Sequence, residues 1–238
     1  MKSLRRLACV VAVTLLANAA QAQDKSTESS TAEWTESFSL ESCSFSTTGR
    51  NEYFVLEPGY RLVLTGVEDD DSVTLTITVL NDTQEVDGVQ TRVVEERETG
   101  GGGLIEVSRN FFAFCKENGS VFYFGEDVDI YEDGELVGHE GGWRAGENGF
   151  RPGLMMPGLA LVGSAYYQEY APTVAMDRAR IVSLDTVLET PAGRFEHCLV
   201  AEESSPLEPG SHEFKVYAPG IGLIKDESLL LVRYGTDR

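Results

Sequence analysis

Basic residues are scarce in this chain: 19 Lys and Arg stand against 39 Asp and Glu, for a formal net charge of −20. Binding to phosphate backbones needs a basic surface, so nucleic acid is excluded as a natural partner. The same imbalance argues against docking on anionic lipid. Cysteine is also sparse, and no Cys-x-x-Cys occurs, so neither a zinc ribbon nor a thiol redox motif is supported. Long apolar runs are missing. Past the N-terminus no stretch reaches the ~18 uninterrupted apolar residues of a membrane-spanning helix, and no transmembrane segment is expected.

Catalytic motifs are missing too. His139-Glu140 lies in His-Glu-Gly-Gly-Trp, which lacks the second histidine of a zinc-protease helix. His197 and Cys198 are neighbours in a β pattern and point to opposite faces, so they do not form a nucleophile and base. Ser164 in Val-Gly-Ser-Ala is not a nucleophile elbow. The pair Glu202-Glu203 is unremarkable in so acidic a chain and does not signal a glycosidase. No catalytic residue is assigned, and a hydrolase ranks last among the functional readings.

The chain does begin with an export signal. Lys2, Arg5 and Arg6 precede an apolar run from Leu7 to Leu16, and Ala20-Gln21-Ala22 is a small-x-small cleavage site. Residues 1–22 therefore read as a secretory signal peptide, with the mature chain starting at Gln23 in the periplasm or outside the cell. Cys9 lies inside the apolar run rather than after it, so a lipid anchor is not expected. Residues 23–33 are polar and read as disordered. Residues 34–238 are expected to form one domain. Without Lys2, Arg5 and Arg6 the balance is 16 basic against 39 acidic residues, a net charge of −23. Solubility accounts for that charge, and cation binding is the sharper alternative. Cys43, Cys115 and Cys198 survive maturation; one pair could form a disulfide in an oxidising compartment, and spacing does not choose which.

Apolar residues recur with period two in short runs: RLVLTG, VTLTITVL, VQTRVVEERE, LIEVSRNFFAF, VFYFGEDVDIY, ARIVSLDTVLE, FEHCLVAEE, HEFKVYAPG and LLLVRYG. Val, Thr, Ile, Phe and Tyr fill the runs, and Gly, Asp, Asn and Pro separate them, as in strands joined by tight turns. The expected fold is all-β: a single curved antiparallel meander or partly closed barrel. Residues 174–181 carry a short helix-like pattern that runs straight into a strand pattern. Residues 141–163 are Gly/Pro-rich yet hold Trp143, Phe150, Leu154, Met155 and Met156, and are expected as a long apolar loop over one face.

Several stretches together carry a resemblance: NEYFVLEPG near the start, GSVFYFGEDVDIYEDGELVGHEGGWRAG in the centre and YAPGIGLIKDE near the end. The chain from residue 43 onward resembles an uncharacterised family of exported bacterial proteins. The resemblance supplies no catalytic residue. The ending PAGRFEHCLV followed by YAPGIGLIKDE is also similar to lipoprotein-carrier-like β-meanders, which implies a curved sheet holding an apolar ligand.

The stretch DIYEDGELVGHE, residues 129–140, admits two readings. As a calcium loop it has Asp129, Asp133, Gly134 and Glu140 in place, but Tyr131 occupies a ligand position and no helices flank it. As a hairpin it turns at Asp133-Gly134, which explains every residue. A different calcium site remains a candidate. Asp127 and Asp129 share a strand face, with Asp133 or Glu126 near. A solvated acidic face is the competing reading. Trp143, Phe122, Tyr123, Phe124, Tyr166, Tyr167 and Tyr170, with Met155 and Met156, are candidates to line a cavity for a small apolar or amphiphilic ligand. Plain core filling competes with that reading. The leading reading is a non-catalytic exported binding protein. A structural or surface-associated module with weak calcium binding is the alternative.

Overall fold

The computed structural model describes residues 34–68 and 71–236. The expected signal peptide, its cleavage site and the expected disordered segment lie outside the described residues. A single 3-10 turn, Leu40–Ser42, precedes the first strands, β1 (Phe45–Ser46), β2 (Gly49–Asn51) and β3 (Phe54–Leu56). The long strands follow: β4 (Tyr60–Glu68), β5 (Asp71–Val86), β6 (Val89–Gly100), β7 (Gly103–Cys115) and β8 (Val121–Glu132). Short ones come next: β9 (Glu135–Gly138), β10 (Trp143–Arg144), β11 (Arg151–Met156), β12 (Ala165–Tyr167) and β13 (Glu169–Tyr170). The chain ends with β14 (Arg178–Thr190), β15 (Gly193–Ser204), β16 (Glu213–Ala218), β17 (Gly222–Asp226) and β18 (Leu229–Thr236).

Thirteen strands form one antiparallel path in the order β12-β14-β15-β16-β17-β18-β4-β5-β6-β7-β8-β11-β13. The result is a nearly closed barrel with one unsealed seam. Sequence neighbours pair almost everywhere, as short turns between antiparallel strands dictate. The two ends of the path, β12 and β13, are separated only by Gln168. Residues 165–170 therefore span the seam covalently. The N-terminal segment helps: the Thr35 amide donates to the Ala165 carbonyl, and the Tyr167 amide donates to the Thr35 carbonyl, both at 2.9 Å.

The hairpin reading of residues 129–140 holds. Glu132 pairs with Glu135, and Asp133 and Gly134 both have positive φ, 52° and 82°, as a type I′ turn requires. Residues 141–163 do not form a loop over one face. β10 and β11 enter the wall and pair with β8, because Trp143, Leu154 and Met156 gain burial there that a solvent-facing loop would deny them. The helix-like pattern at 174–181 is overruled by pairing of β14 with β15 from Arg178 onward.

Alternation sets the inner face. Leu62, Leu64, Leu75, Val79 and Leu231 are buried in the core. The intervening Arg61, Val63, Thr65, Val67, Thr74, Thr76 and Thr78 face out. No helix among the described residues is long and apolar enough to cross a membrane. Outside the barrel, residues 34–46 lie as a strap across β8. Phe38 and Phe45 meet Phe122 edge-on at 5.7 and 5.9 Å, and Phe45 meets Phe124 at 5.4 Å. A disulfide between Cys43 and Cys115 pins the strap, and Cys198 is a buried free thiol.

The disulfide closes a 72-residue separation. Restricting so long a loop in the unfolded chain is worth roughly 2–5 kcal/mol. Replacing Cys43 and Cys115 by Ser is expected to lower Tm by about 5–15 °C, read by calorimetry under non-reducing conditions. An unchanged Tm would show that the strap adds nothing to the barrel.

Candidate functional site

The barrel interior is divided by chemistry. One wall, from β4, β5, β17 and β18, is apolar: Leu62, Leu64, Leu75, Leu223, Leu229 and Leu231. The strands that flank it are acidic. Strand pairing places Glu96 opposite Ile77, Glu98 opposite Leu75 and Glu106, and Asn110 opposite Glu126. On the other flank Glu203 and Lys215 point in from β15 and β16.

A bulge in β8 creates part of this wall. Asn110 pairs with Glu126 while Phe112 pairs with Tyr123, so β8 has one residue more than β7 over this stretch. Tyr123 and Glu126, three apart, thereby face the same cavity. Gly125 permits the bulge. Its φ is +130°, and a Cβ there would sit 2.2 Å from the Trp143 carbonyl oxygen.

Among the described residues, a cavity of about 610 Å³ takes in Asp127, Asp129, His139, Trp143 and Arg144, and two others adjoin along the acidic and apolar walls. The larger of these two, about 320 Å³, is lined by six carboxyl side chains, Glu96, Glu106, Glu126, Glu169, Asp177 and Glu203, and by a single basic one, Lys215. Phe112, Tyr123 and Met155 supply its apolar surface. The smaller, about 80 Å³, is mostly apolar, with Phe54, Tyr60, Leu62, Ile77 and Leu223 among its lining residues. Glu96, Met155 and Lys215 line both, so the two adjoin.

The charges in the acidic chamber are unbalanced. Lys215 Nζ lies 3.2 Å from Glu203 and 3.6 Å from Asp226. Burial alone would lower the Lys215 pKa, but Glu203, Asp226, Tyr217 and Glu96 outweigh it and hold the ammonium well above its usual range. Lys215 is thus fully engaged. Glu96, Glu126 and Glu169 hold their protons more tightly than ordinary carboxyls. Burial raises Glu96 to about 7, against a lowering contribution from Lys215. Burial raises Glu126 to about 8; a hydrogen bond with Tyr123 opposes the rise, and Glu96 and Glu106 add to it. Glu169 is pushed well above the carboxylate range by burial and by Glu126. The Tyr123 hydroxyl also donates to Asn110 Oδ1.

The residues singled out by sequence are not brought together as one pocket. Phe122 and Phe124 face outward under the strap, because they alternate with inward-facing Tyr123. Tyr167 and Tyr170 stack edge-on at 5.5 Å beside Trp34, with the Arg151 guanidinium 3.8 Å over the Tyr170 ring. Tyr166 is buried in the core. Met156 is buried and lines neither cavity, whereas Met155 lines both. Trp143 borders the chamber indirectly: it packs 5.4 Å from Tyr123 and its Nε1 donates to Glu169 Oε1 at 3.3 Å.

The candidate calcium ligands are already engaged or apart. Asp127 accepts two hydrogen bonds from Arg144, at 2.7 and 2.8 Å. Asp129 pairs with Arg109 at 3.0 Å and His139 at 2.9 Å. Asp133 sits in the hairpin turn. Among the described residues, the only three His, Cys, Asp or Glu ligand atoms within 4.8 Å of one another belong to Cys43, Cys115 and Glu117, and two of those are the disulfide sulfurs. No family model, curated protein or solved structure matches the chain.

The raised carboxyl pKa values link stability to pH. An unfolded glutamate releases its proton near ~4.3. Glu96 and Glu126 release theirs in the folded protein only at about 7 and 8. Between those limits the folded state binds more protons, so stability is fullest at the acid end and is lost as pH rises. Tm at pH 5 is expected to exceed Tm at pH 8.5 by at least about 5 °C, and Glu126→Gln should flatten the slope. A Tm that rises with pH, or a slope untouched by the substitution, contradicts this assignment.

Proposed function

We propose that the protein is an exported, non-catalytic binding protein that holds a small amphiphilic ligand inside the barrel. One observation carries the reading: an apolar cavity and a polar one adjoin in the barrel and share Glu96, Met155 and Lys215 as lining. A ligand with an apolar end and a polar end fits that arrangement. The combined space suits a compound at the small end of the usual ligand range, since such pockets run from ~300 Å³ upward. Export is supported by the leader-like residues 1–22 and by the Cys43–Cys115 disulfide, a bond that persists in oxidising compartments. The aromatic side chains act differently from the sequence expectation. Trp143 orients Glu169, while Phe122 and Phe124 fasten the strap. The calcium alternative is weakened because Arg144, Arg109 and His139 already occupy Asp127 and Asp129.

Met155→Trp fills the junction of the two cavities. Native mass spectrometry on protein isolated from its own cells is expected to show an added mass of a few hundred daltons or less, lost on denaturation. The variant should fold with an unchanged circular-dichroism spectrum and carry that mass at a tenfold lower occupancy. The reading fails if Met155→Trp keeps the mass. It also fails if no mass is present and no small aromatic amine, alcohol or acid raises Tm.

A further inference from the structure

The acidic chamber carries information about ligand charge that the binding reading alone does not use. Six carboxyl side chains line it against one ammonium, and that ammonium is spoken for by Glu203 and Asp226. The other acids are poorly satisfied by the protein. Glu169 is only 8% exposed; Oε1 accepts from Trp143 at 3.3 Å, and Oε2 has no hydrogen-bond partner among the described residues. Glu96 has neither a hydrogen bond nor a close ion pair among the described residues, and its nearest charge influence is Lys215. Gln168, 5% exposed, uses its Nε2 on Glu203 while its Oε1 has no partner among the described residues. Carboxyl oxygens of Glu96 and Glu169 thus face the cavity rather than protein donors, and a cationic ligand can engage several of them at once.

The kind of cation follows from geometry. A calcium ion needs about 6–8 oxygens at ~2.3–2.6 Å. No three chamber carboxylates among the described residues converge within 4.8 Å of one another. The acids are spread along the walls, which suits a cation with a body rather than a point ion. The chamber also has aromatic faces: Phe112 and Tyr123 lie 4.6 Å apart, centroid to centroid, and both line it. Aromatic rings beside carboxylates make a favourable surround for an organic ammonium group, through charge and through the ring quadrupole.

We propose that the chamber binds a small organic ammonium compound, its nitrogen among Glu96, Glu126 and Glu169 and its carbon body against Phe112 and Tyr123. This rests on the binding reading above and names the chemical class of its ligand. An ammonium group has donors for the chamber's carboxyl oxygens, and its charge favours the ionised form of acids that the empty chamber keeps protonated. A carboxylate ligand would add a seventh acid to a space with one cation. A neutral alcohol would satisfy an acceptor or two and leave the charge unanswered.

The test is a matched series of three probes titrated calorimetrically into the mature protein: 2-phenylethylamine, 2-phenylethanol and 3-phenylpropanoate. The amine is expected to bind at least tenfold more tightly than the alcohol, and the acid not at all. Glu126→Gln and Glu169→Gln each keep the side-chain shape and remove the charge. Each should weaken the amine at least tenfold and leave the alcohol unchanged, with Tm equal to or above that of the parent. If the alcohol or the acid binds as well as the amine, the ammonium assignment is overturned while the binding reading stands. If none of the three binds, both fall. Calcium alone, titrated in parallel, should give no heat and should not displace the amine; displacement would make this a metal site and overturn the proposal.

Discussion

Closure of the sheet is the constraint on which the rest of this structure depends. Residues 165–170 carry β12 directly into β13, and the Asp177 carbonyl accepts from the Gln168 and Glu169 amides at the turn between them. Without closure the inner face would be a concave sheet open to water. Glu96, Glu126 and Glu169 would then be ordinary surface acids. With closure, water is displaced on all sides, the carboxyls are desolvated together, and each raises the other's proton affinity. The cavities and their unusual electrostatics are thus one consequence of a topological fact.

The closed interior then sorts itself by wall. β4, β5, β17 and β18 turn mostly leucine and valine inward and supply the hydrophobic driving force. β6, β7 and β8 put acids where a core would have leucines. Lys215 joins the two halves: it takes the charge of Glu203 and of Asp226 on neighbouring strands. The strap and its disulfide act from outside, covering the phenylalanines of β8 that alternate outward on either side of Tyr123. Lost interior hydrophobicity is offset by covalent and aromatic fastening at the surface.

The fold class was legible because period two is a strong signal wherever the two faces differ. RLVLTG and VTLTITVL announce themselves as strands. The hairpin at Asp133-Gly134 was legible for the same reason and because Asp-Gly suits positive φ. Segment 141–163 was misread because β10 and β11 are two and six residues long and rich in Gly and Pro, so composition outweighed pattern. The chamber was harder still. In VVEERETG both faces carry charge, Glu95 and Arg97 on one, Glu96 and Glu98 on the other. Alternation cannot say which face points inward. Only the pairing of Val79 with Val94 fixes it, and that contact belongs to the tertiary structure. Tyr123 and Glu126 were hidden for a second reason. Three residues apart, they fall on opposite faces of a regular strand, and only the bulge at Gly125 unites them.

Such a chamber is hard to explain by folding alone. Isolated buried carboxyls cost stability, and apolar side chains of similar volume would fill the same space at a gain. The apolar wall shows that this scaffold accommodates leucine on its inner face without difficulty. Nor is solubility a reason, since solubility is served by the outer surface, where many acids already lie. A feature that weakens the empty protein and is confined to a cavity is most economically explained by what the cavity receives. Under the proposed function, interior acids are destabilising in the unliganded barrel and favourable once a cation enters. Their cost would then couple occupancy to stability, because a compound that binds the folded state alone stabilises it by an amount that grows with the logarithm of its concentration over its Kd.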